Sequence, residues 1–251
     1  MKPIGIFAAT RWELNAIRRA NPSFSAQSVN GIRCWVGAVG GRAYWLIQTG
    51  VGPQKAAAIS RRLLQAESLS CMVSSGFACA LNAAGVGDML VGTEVVEHPA
   101  EEYTPPLPCS SSLATHAMNV AGAVKLAAVA GRFVSTGRVV CCGEEKRGIA
   151  RRTQGLGLDM ESAALAAVAQ EAGISFAIMR TVSDVRDEDL PLDFNLFLRP
   201  TGWISGVLSC LRAPSSVIGL SRLRRQSHRA GMHLTRFYEK FLSAETVATF
   251  M

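Results

Sequence analysis

Short apolar runs alternate with amphipathic segments through the first 190 residues of the chain. Residues 4–9 are typical of a buried strand, whereas the spacing of Trp12, Leu14 and Ile17 indicates a helix. The same pattern predicts strands over residues 71–74, 88–96, 134–141 and 175–182, a hairpin over 32–38 and 44–48, and helices over 53–64, 113–130 and 160–172, with a loop over 99–112. This alternation favours a three-layer α/β fold, in which a mixed, largely parallel twisted sheet is flanked by helices.

The pattern changes after Pro191, where residues 203–211 and 217–242 look helical and basic. We therefore expect one domain over residues 1–198 and a helical extension over 199–251 that is not an independent domain. Between Arg199 and Lys240 only Glu239 opposes the basic residues, which are Arg199, Arg212, Arg222, Arg224, Arg225, Arg229, Arg236 and Lys240. Such a stretch suits an anionic partner, either a membrane surface or nucleic acid, but a solvated helical face explains it equally well.

Length and composition are those of an ordinary globular protein, with 251 residues, 49% apolar and 18% charged. A chain of this length can bury a sizeable core without disulfides or metals. The seven cysteines include no C-x-x-C pair, and no histidine stands at metal-ligand spacing from another histidine or a cysteine. The apolar run over residues 4–9 is too short for a secretory leader and no apolar run reaches about 18 residues, so we expect neither a leader nor a membrane-spanning helix. We therefore expect a cytoplasmic protein with reduced thiols and no metal.

Three carboxylates stand where a predicted strand gives way to the next element. Glu13 follows the first strand, Glu161 opens the helix after Gly157-Leu158-Asp159-Met160, and Asp184 ends the following strand. In open α/β sheets, ligands bind at the carboxyl ends of the strands, so these acids can face one crevice. Each also has a structural explanation, because the helix dipole favours acids in a first turn and Asp184 can cap a turn.

These segments, taken in order, resemble the superfamily of purine nucleoside phosphorylases and methylthioadenosine/adenosylhomocysteine nucleosidases. The resemblance covers residues 4–190 and is most specific at Asp159–Ala164 and Val182–Asp184. It also includes the opening strand with Glu13, the turn Thr49–Gly52, and Ser75–Ala78 with Val86–Asp88. It implies the three-layer nucleoside phosphorylase-like fold and cleavage of the bond between a purine, with adenine preferred, and a ribose.

The resemblance also implies roles for individual residues. Glu161 would accept hydrogen bonds from the ribose hydroxyls while Met160 packs against the sugar. Asp184, aided by Ser183, would share or donate a proton at purine N7, and Glu13 would orient or deprotonate an attacking water. Further contacts with the substrate are expected from Phe77, Ala78, Cys141 and Cys142, the last two through the backbone of residues 140–143.

The attacking group stays open between water and inorganic phosphate, which is a possible co-substrate although no other cofactor is expected. The G-D-x-x-R phosphate motif of one phosphorylase branch is absent, and Phe77 and Cys79 stand where the nucleosidases usually have a small polar residue and a glycine. Arg11, Arg42 and the turn ending at Gly52 remain candidates for binding an anion at a helix N-terminus.

A narrower resemblance connects residues 144–147, the segment Asp159–Ser162 and the basic extension with the hopanoid-associated phosphorylases. It implies a lipid-linked adenosine such as adenosylhopane as substrate, with peripheral membrane contact through the extension. Soluble nucleosidase or phosphorylase activity is the alternative. Relatives of this superfamily imply a homo-oligomer, and no nucleic acid partner is expected.

Two other classes of protein fit this sequence less well. A dinucleotide-binding site is disfavoured because Lys55 stands where G-x-G-x-x-G needs its third glycine, and there is no P-loop sequence. A nucleoside-binding sensor without activity is disfavoured because binding alone does not need Glu13.

Overall fold

A computed structural model of the chain describes residues 2–99, 105–191, 195 and 214–243. The strands are β1 Ile4–Ala8, β2 Ser25–Val29, β3 Ile32–Val39, β4 Arg42–Gln48, β5 Cys71–Ala80, β6 Met89–His98, β7 Leu107–Pro108, β8 Ala128–Thr136, β9 Gly157–Asp159 and β10 Ser175–Val185. The helices in this described part are α1 Arg11–Arg19, α2 Pro53–Leu64, α3 Ser111–Ala123, α4 Gly143–Thr153, α5 Ser162–Glu171 and α6 Pro214–Ser243.

The strands form one mixed sheet in the order β10-β6-β8-β9-β5-β1-β4-β3-β2, with β7 beside β6. Strand β10 also pairs with β5, so β5, β10, β6, β8 and β9 close a ring. The pairs β1–β4, β1–β5 and β5–β10 are parallel, so the carboxyl ends of β1, β5 and β10 meet at one edge of the sheet. The predicted α/β fold is confirmed.

Helices cover both faces of the sheet. Apolar residues of α1, α3 and α6 pack on one face, and those of α2 and α5 pack on the other. Helix α6 belongs to this core, since Leu234, Phe237, Tyr238 and Phe241 are fully buried in it. This part of the predicted extension therefore packs on the domain. The predicted helix over 203–211 lies outside the described residues. No described helix has the length and apolarity needed to cross a membrane.

The helix predicted over 113–130 is wrong at its end. Helix α3 stops at Ala123, because Lys125 adopts a left-handed conformation with φ of 55° and Leu126 N–H donates to the carbonyl of Ala121. This closing turn usually contains glycine, and a lysine there gives no warning in the sequence. Strand β8 follows at once, so the strand predicted over 134–141 begins earlier and ends at Thr136.

Three further differences concern α4, β7 and the length of β5. Helix α4 was not predicted, because its sequence GEEKRGIARRT has few apolar positions. The predicted loop over 99–112 contains β7 and the start of α3. Strand β5 continues beyond Ser74 to Ala80, so the segment Ser75–Ala78 lies within a strand.

Candidate active site

Glu13 is fixed at the start of α1 by a reciprocal cap with Thr10. One carboxylate oxygen, Oε2, accepts from the backbone N–H and the hydroxyl of Thr10, both at 2.8 Å. The other oxygen, Oε1, accepts from the backbone N–H of Phe77 on β5 at 2.8 Å. Glu13 is only 4% exposed, yet it lines the cavity described below. It therefore caps the helix and also faces the site.

Gly76 makes this position of Glu13 possible. Its φ of 143° is unusual for other residues, and a Cβ built there would overlap the Glu13 carboxylate. A side chain at position 76 would therefore displace Glu13 from Phe77.

Two carboxylates come from the junction of β9 and α5. Asp159 Oδ1 accepts from the Ser135 hydroxyl at 2.5 Å, and Ser162 donates to the other oxygen through its own hydroxyl. Glu161 Oε1 accepts from the backbone N–H of Gly52, at the start of α2, at 2.8 Å. Met160 lies between the two acids and lines the same cavity.

Arg180 on β10 lies at the centre of the three carboxylates and is 1% exposed. Its Nε is 2.7 Å from Asp159 Oδ2, outside hydrogen-bond geometry, its Nη2 is 3.5 Å from Glu161, and its Nη1 is 3.8 Å from Glu13. The guanidinium also donates to the Phe77 carbonyl and the Ser74 hydroxyl, each at 2.9 Å. One cation thus faces three buried carboxylates.

Burial and the neighbouring charges together shift the pKa of Glu161. Its burial raises the pKa of the carboxyl to about 7, with Asp159 and Glu13 adding to the rise against the opposing effects of Arg180 and Gly52. The acids of this site therefore favour additional positive charge near Glu161.

A bulge in β10 turns two consecutive side chains into the cavity. The pairing of β10 with β5 shifts between Val182 and Asp184, which leaves Ser183 out of register. Neighbouring residues of a regular strand point to opposite faces, and a bulge removes that restriction. Ser183 and Asp184 accordingly line the same cavity, with the Ser183 hydroxyl donating to Asp184 Oδ1 at 2.9 Å.

The other oxygen of Asp184 is held by a lysine. Lys146 Nζ on α4 donates to Asp184 Oδ2 at 2.8 Å and to the Glu188 carbonyl at 3.0 Å. Its side chain is fully buried. Burial disfavours the ammonium, but Asp184, together with Cys79 and Glu188, outweighs this and the pKa of Lys146 is raised. Lys146 is therefore a cation directly behind Asp184.

These residues surround a cavity of about 190 Å³, which we call the catalytic cavity. Of the sequence-predicted residues it brings together Glu13, Phe77, Ala78, Met160, Glu161, Ser183 and Asp184. The other five have different positions. Val139 and Val140 line the cavity in place of Cys141 and Cys142, Arg11 lines a separate cleft, and the Gly52 N–H is occupied by Glu161. Arg42 is buried on β4 and lines neither space.

Sequence reasoning missed Arg180, Asp159 and Lys146 as site residues. Asp159 begins one of the two most specific motifs and Arg180 lies two residues before the other, so their charges next to these motifs were the available signal. Lys146 lay in a helix that was not predicted, and nothing in the sequence places it next to Asp184.

Comparison with known proteins agrees with this geometry. The family profile of the phosphorylase superfamily matches residues 3–199. The chain belongs to this superfamily. A 5′-methylthioadenosine/S-adenosylhomocysteine nucleosidase of Shewanella baltica is 24% identical over 83% of this chain and 94% of its own. The prediction of an enzyme of the nucleosidase and nucleoside phosphorylase group is confirmed.

Two solved structures share the fold. A mutant nucleosidase of Helicobacter pylori with 5′-methylthioadenosine in its active site superimposes with a TM-score of 0.73 and 19% identity, over 94% of this chain and 98% of its own. A mutant futalosine hydrolase of the same species gives a TM-score of 0.72, also at 19% identity and with the same coverage.

Proposed function

We propose that this enzyme hydrolyses the N-glycosidic bond of an adenine nucleoside that carries a substituent at the ribose 5′ position. The observation that carries the proposal is the catalytic cavity, where three carboxylates share one guanidinium and Asp184 is paired with Lys146. The choice of adenine and of a 5′ substituent is supported by the nucleosidases that the chain resembles.

The carboxylates suit the charge that develops during the reaction. As the C1′–N9 bond stretches, the ribose acquires oxocarbenium character and the bond's electron pair moves to the purine. Glu161 accepts hydrogen bonds from the ribose hydroxyls, and the negative site stabilises the positive sugar more than the neutral substrate. The raised pKa of about 7 leaves Glu161 partly protonated near neutral pH, and its ionised form is the one that can accept hydrogen bonds on both oxygens.

The leaving base is handled at the other end of the cavity. Ser183 and Lys146 each occupy one oxygen of Asp184, which fixes the plane of the carboxyl group. Asp184 takes up a proton from solvent when the substrate binds and passes it to N7 as negative charge develops on the purine. Lys146 does not line the cavity, so it acts on the substrate only by positioning Asp184.

Water is the nucleophile that the cavity favours. Arg180 is already surrounded by acids, and Arg138, the other cation that lines the space, is paired with Glu145. A phosphate dianion would meet Glu13, Asp159 and Glu161 without a free cation in this space. Glu13 Oε1 orients the water and takes its proton as the new C1′–O bond forms.

The lipid-linked adenosine expected from the narrower resemblance concerns only the 5′ substituent. The relatives reported above lend it no support, and the segment 203–211 that would contact a membrane lies outside the described residues. Membrane contact, homo-oligomer formation and cytoplasmic localisation stay predictions.

The proposal is tested by incubating the protein with 5′-methylthioadenosine, adenosine and inosine and separating the products by chromatography. We expect free adenine from methylthioadenosine, with slower release from adenosine. Binding of methylthioadenosine without release of base would instead identify a nucleoside-binding module.

A further inference from the structure

A second cavity, larger than the catalytic one, lies between α1, α2 and the β3–β4 hairpin. Its volume is about 630 Å³, which is within the range of small-molecule sites, roughly 300–1,000 Å³. We call it the basic cleft, and its lining includes Arg11, Arg18, Arg33, Trp35, Gln48 and Gly50. No aspartate or glutamate lines it.

The three arginines of the basic cleft have no anionic partner among the described residues. None of their side chains takes part in an ion pair or hydrogen bond there, whereas Arg61, Arg132 and Arg138 elsewhere in the described part of the chain are each paired with a glutamate. Unpaired guanidinium groups on one cavity form an anion-binding surface, because each offers forked N–H donors that fit carboxylate and phosphate oxygens.

Trp35 holds two of these arginines in place. The guanidinium carbons of Arg33 and Arg18 lie 5.0 Å and 5.8 Å from the centre of the indole ring. Both distances are within the range of a cation–π contact. The two cations come from different elements, β3 and α1, and the indole ring joins them at the cleft.

The basic cleft adjoins the catalytic cavity at two points of the backbone. Thr10 and Glu13 line the catalytic cavity, while Arg11 lines the cleft from the same turn of α1. In the same way, Gly50 lines the cleft and its neighbour Val51 lines the catalytic cavity. Glu161, which we assign to the ribose hydroxyls, accepts from the N–H of Gly52 beside Val51, so we expect the ribose end of the substrate to face the cleft.

We propose that the basic cleft is an anion-binding subsite that selects substrates bearing a carboxylate or phosphate group on the ribose 5′ substituent. This proposal rests on the proposed function and defines its substrate class. The same chemistry would also hold free inorganic phosphate, so the test must separate a tethered anion from a free one.

The test compares two 5′-thioadenosine analogues that differ only at the end of the thio substituent, one a carboxylate and the other the matching carboxamide. Each is assayed for adenine release with the wild type and with the double variant Arg18→Gln/Arg33→Gln. Arg19→Gln is the matched control, because Arg19 is an exposed arginine of the same helix turn that does not line the cleft. Methylthioadenosine reports the activity of the catalytic cavity itself.

We expect kcat/KM for the carboxylate to exceed that for the carboxamide by at least about tenfold in the wild type and in Arg19→Gln. The double variant should lose this preference and cleave methylthioadenosine at the wild-type rate. Equal kcat/KM for the two analogues in the wild type would overturn the proposal. Phosphate that accelerates methylthioadenosine cleavage only when both arginines are present would also overturn it, in favour of a free anion.

Calorimetric binding of the same two analogues separates this proposal from the proposed function. If no nucleoside is cleaved, the proposed function fails, but tighter binding of the carboxylate that disappears in the double variant still supports the cleft. Equal affinity for both analogues would contradict it.

Discussion

The raised pKa of Glu161 makes the stability of this fold depend on pH in a defined direction. Burial raises the pKa of this carboxyl from 4.5 to about 7. Between these two values the folded chain keeps a proton that the unfolded chain has released. Folding therefore becomes less favourable as pH rises through this window, and the contribution is greatest below pH 4.5.

The size of the effect follows from the two pKa values. Their difference of about 2.5 corresponds to about 3 kcal/mol at about 1.4 kcal/mol per pH unit. The variant Glu161→Gln has no such group, and its amide oxygen can still accept from Gly52. Relative to the wild type, it should gain about 2 to 3 kcal/mol of unfolding free energy between pH 5 and pH 8.

Urea denaturation at pH 5 and pH 8 measures this difference. Glu171→Gln is the matched control, because Glu171 lies on the same helix and its salt bridge with Arg61 is exposed. An exposed pair contributes little, so this control should follow the wild type at both pH values. If Glu161→Gln also followed the wild type, the raised pKa that burial gives to Glu161 would be contradicted.

Three substitutions test the remaining parts of the site. Asp184→Asn should lower kcat for adenine release by about 10²- to 10⁴-fold while circular dichroism stays unchanged, and near-normal turnover would remove Asp184 from proton transfer. Lys146→Met should lower kcat more than it raises KM and should destabilise the fold by up to about 3 kcal/mol, because the Asp184 carboxylate loses its cation. A change confined to KM would contradict the positioning role. Arg180→Met should lower the free energy of unfolding, measured by urea denaturation, by about 3 kcal/mol or more, because it leaves three acids around an apolar side chain. Wild-type stability would show that the three acids do not depend on Arg180 to balance their charge.

The sequence motifs predicted three of the four acids that line the catalytic cavity, all except Asp159. Glu161 and Asp184 stand next to elements whose periodicity is clear, and parallel strands bring their carboxyl ends together in any fold of this class. Glu13 was predicted on the same basis, and its helix-capping explanation also holds, because the cap leaves its carboxylate facing the cavity.

The groups that balance the acids could not be predicted in this way. Arg180 meets Glu13 across 167 positions of sequence, a contact that only the pairing of β10 with β5 creates. Lys146 depends on the polar helix α4, whose apolar pattern is too weak to predict. The wrong prediction of Cys141 and Cys142 as cavity residues has a related cause. Strand β8 ends at Thr136, so Val139 and Val140 line the cavity before the backbone turns away towards α4.

The most direct test of the account is to identify the sugar formed from 5′-methylthioadenosine in ¹⁸O-labelled water with saturating inorganic phosphate. If the carboxylates of the catalytic cavity favour water over phosphate, mass spectrometry will find free adenine and a free sugar with one ¹⁸O atom at C1. A sugar 1-phosphate would contradict hydrolysis and assign the reaction to phosphate. Recovery of intact nucleoside would contradict cleavage of the N-glycosidic bond itself.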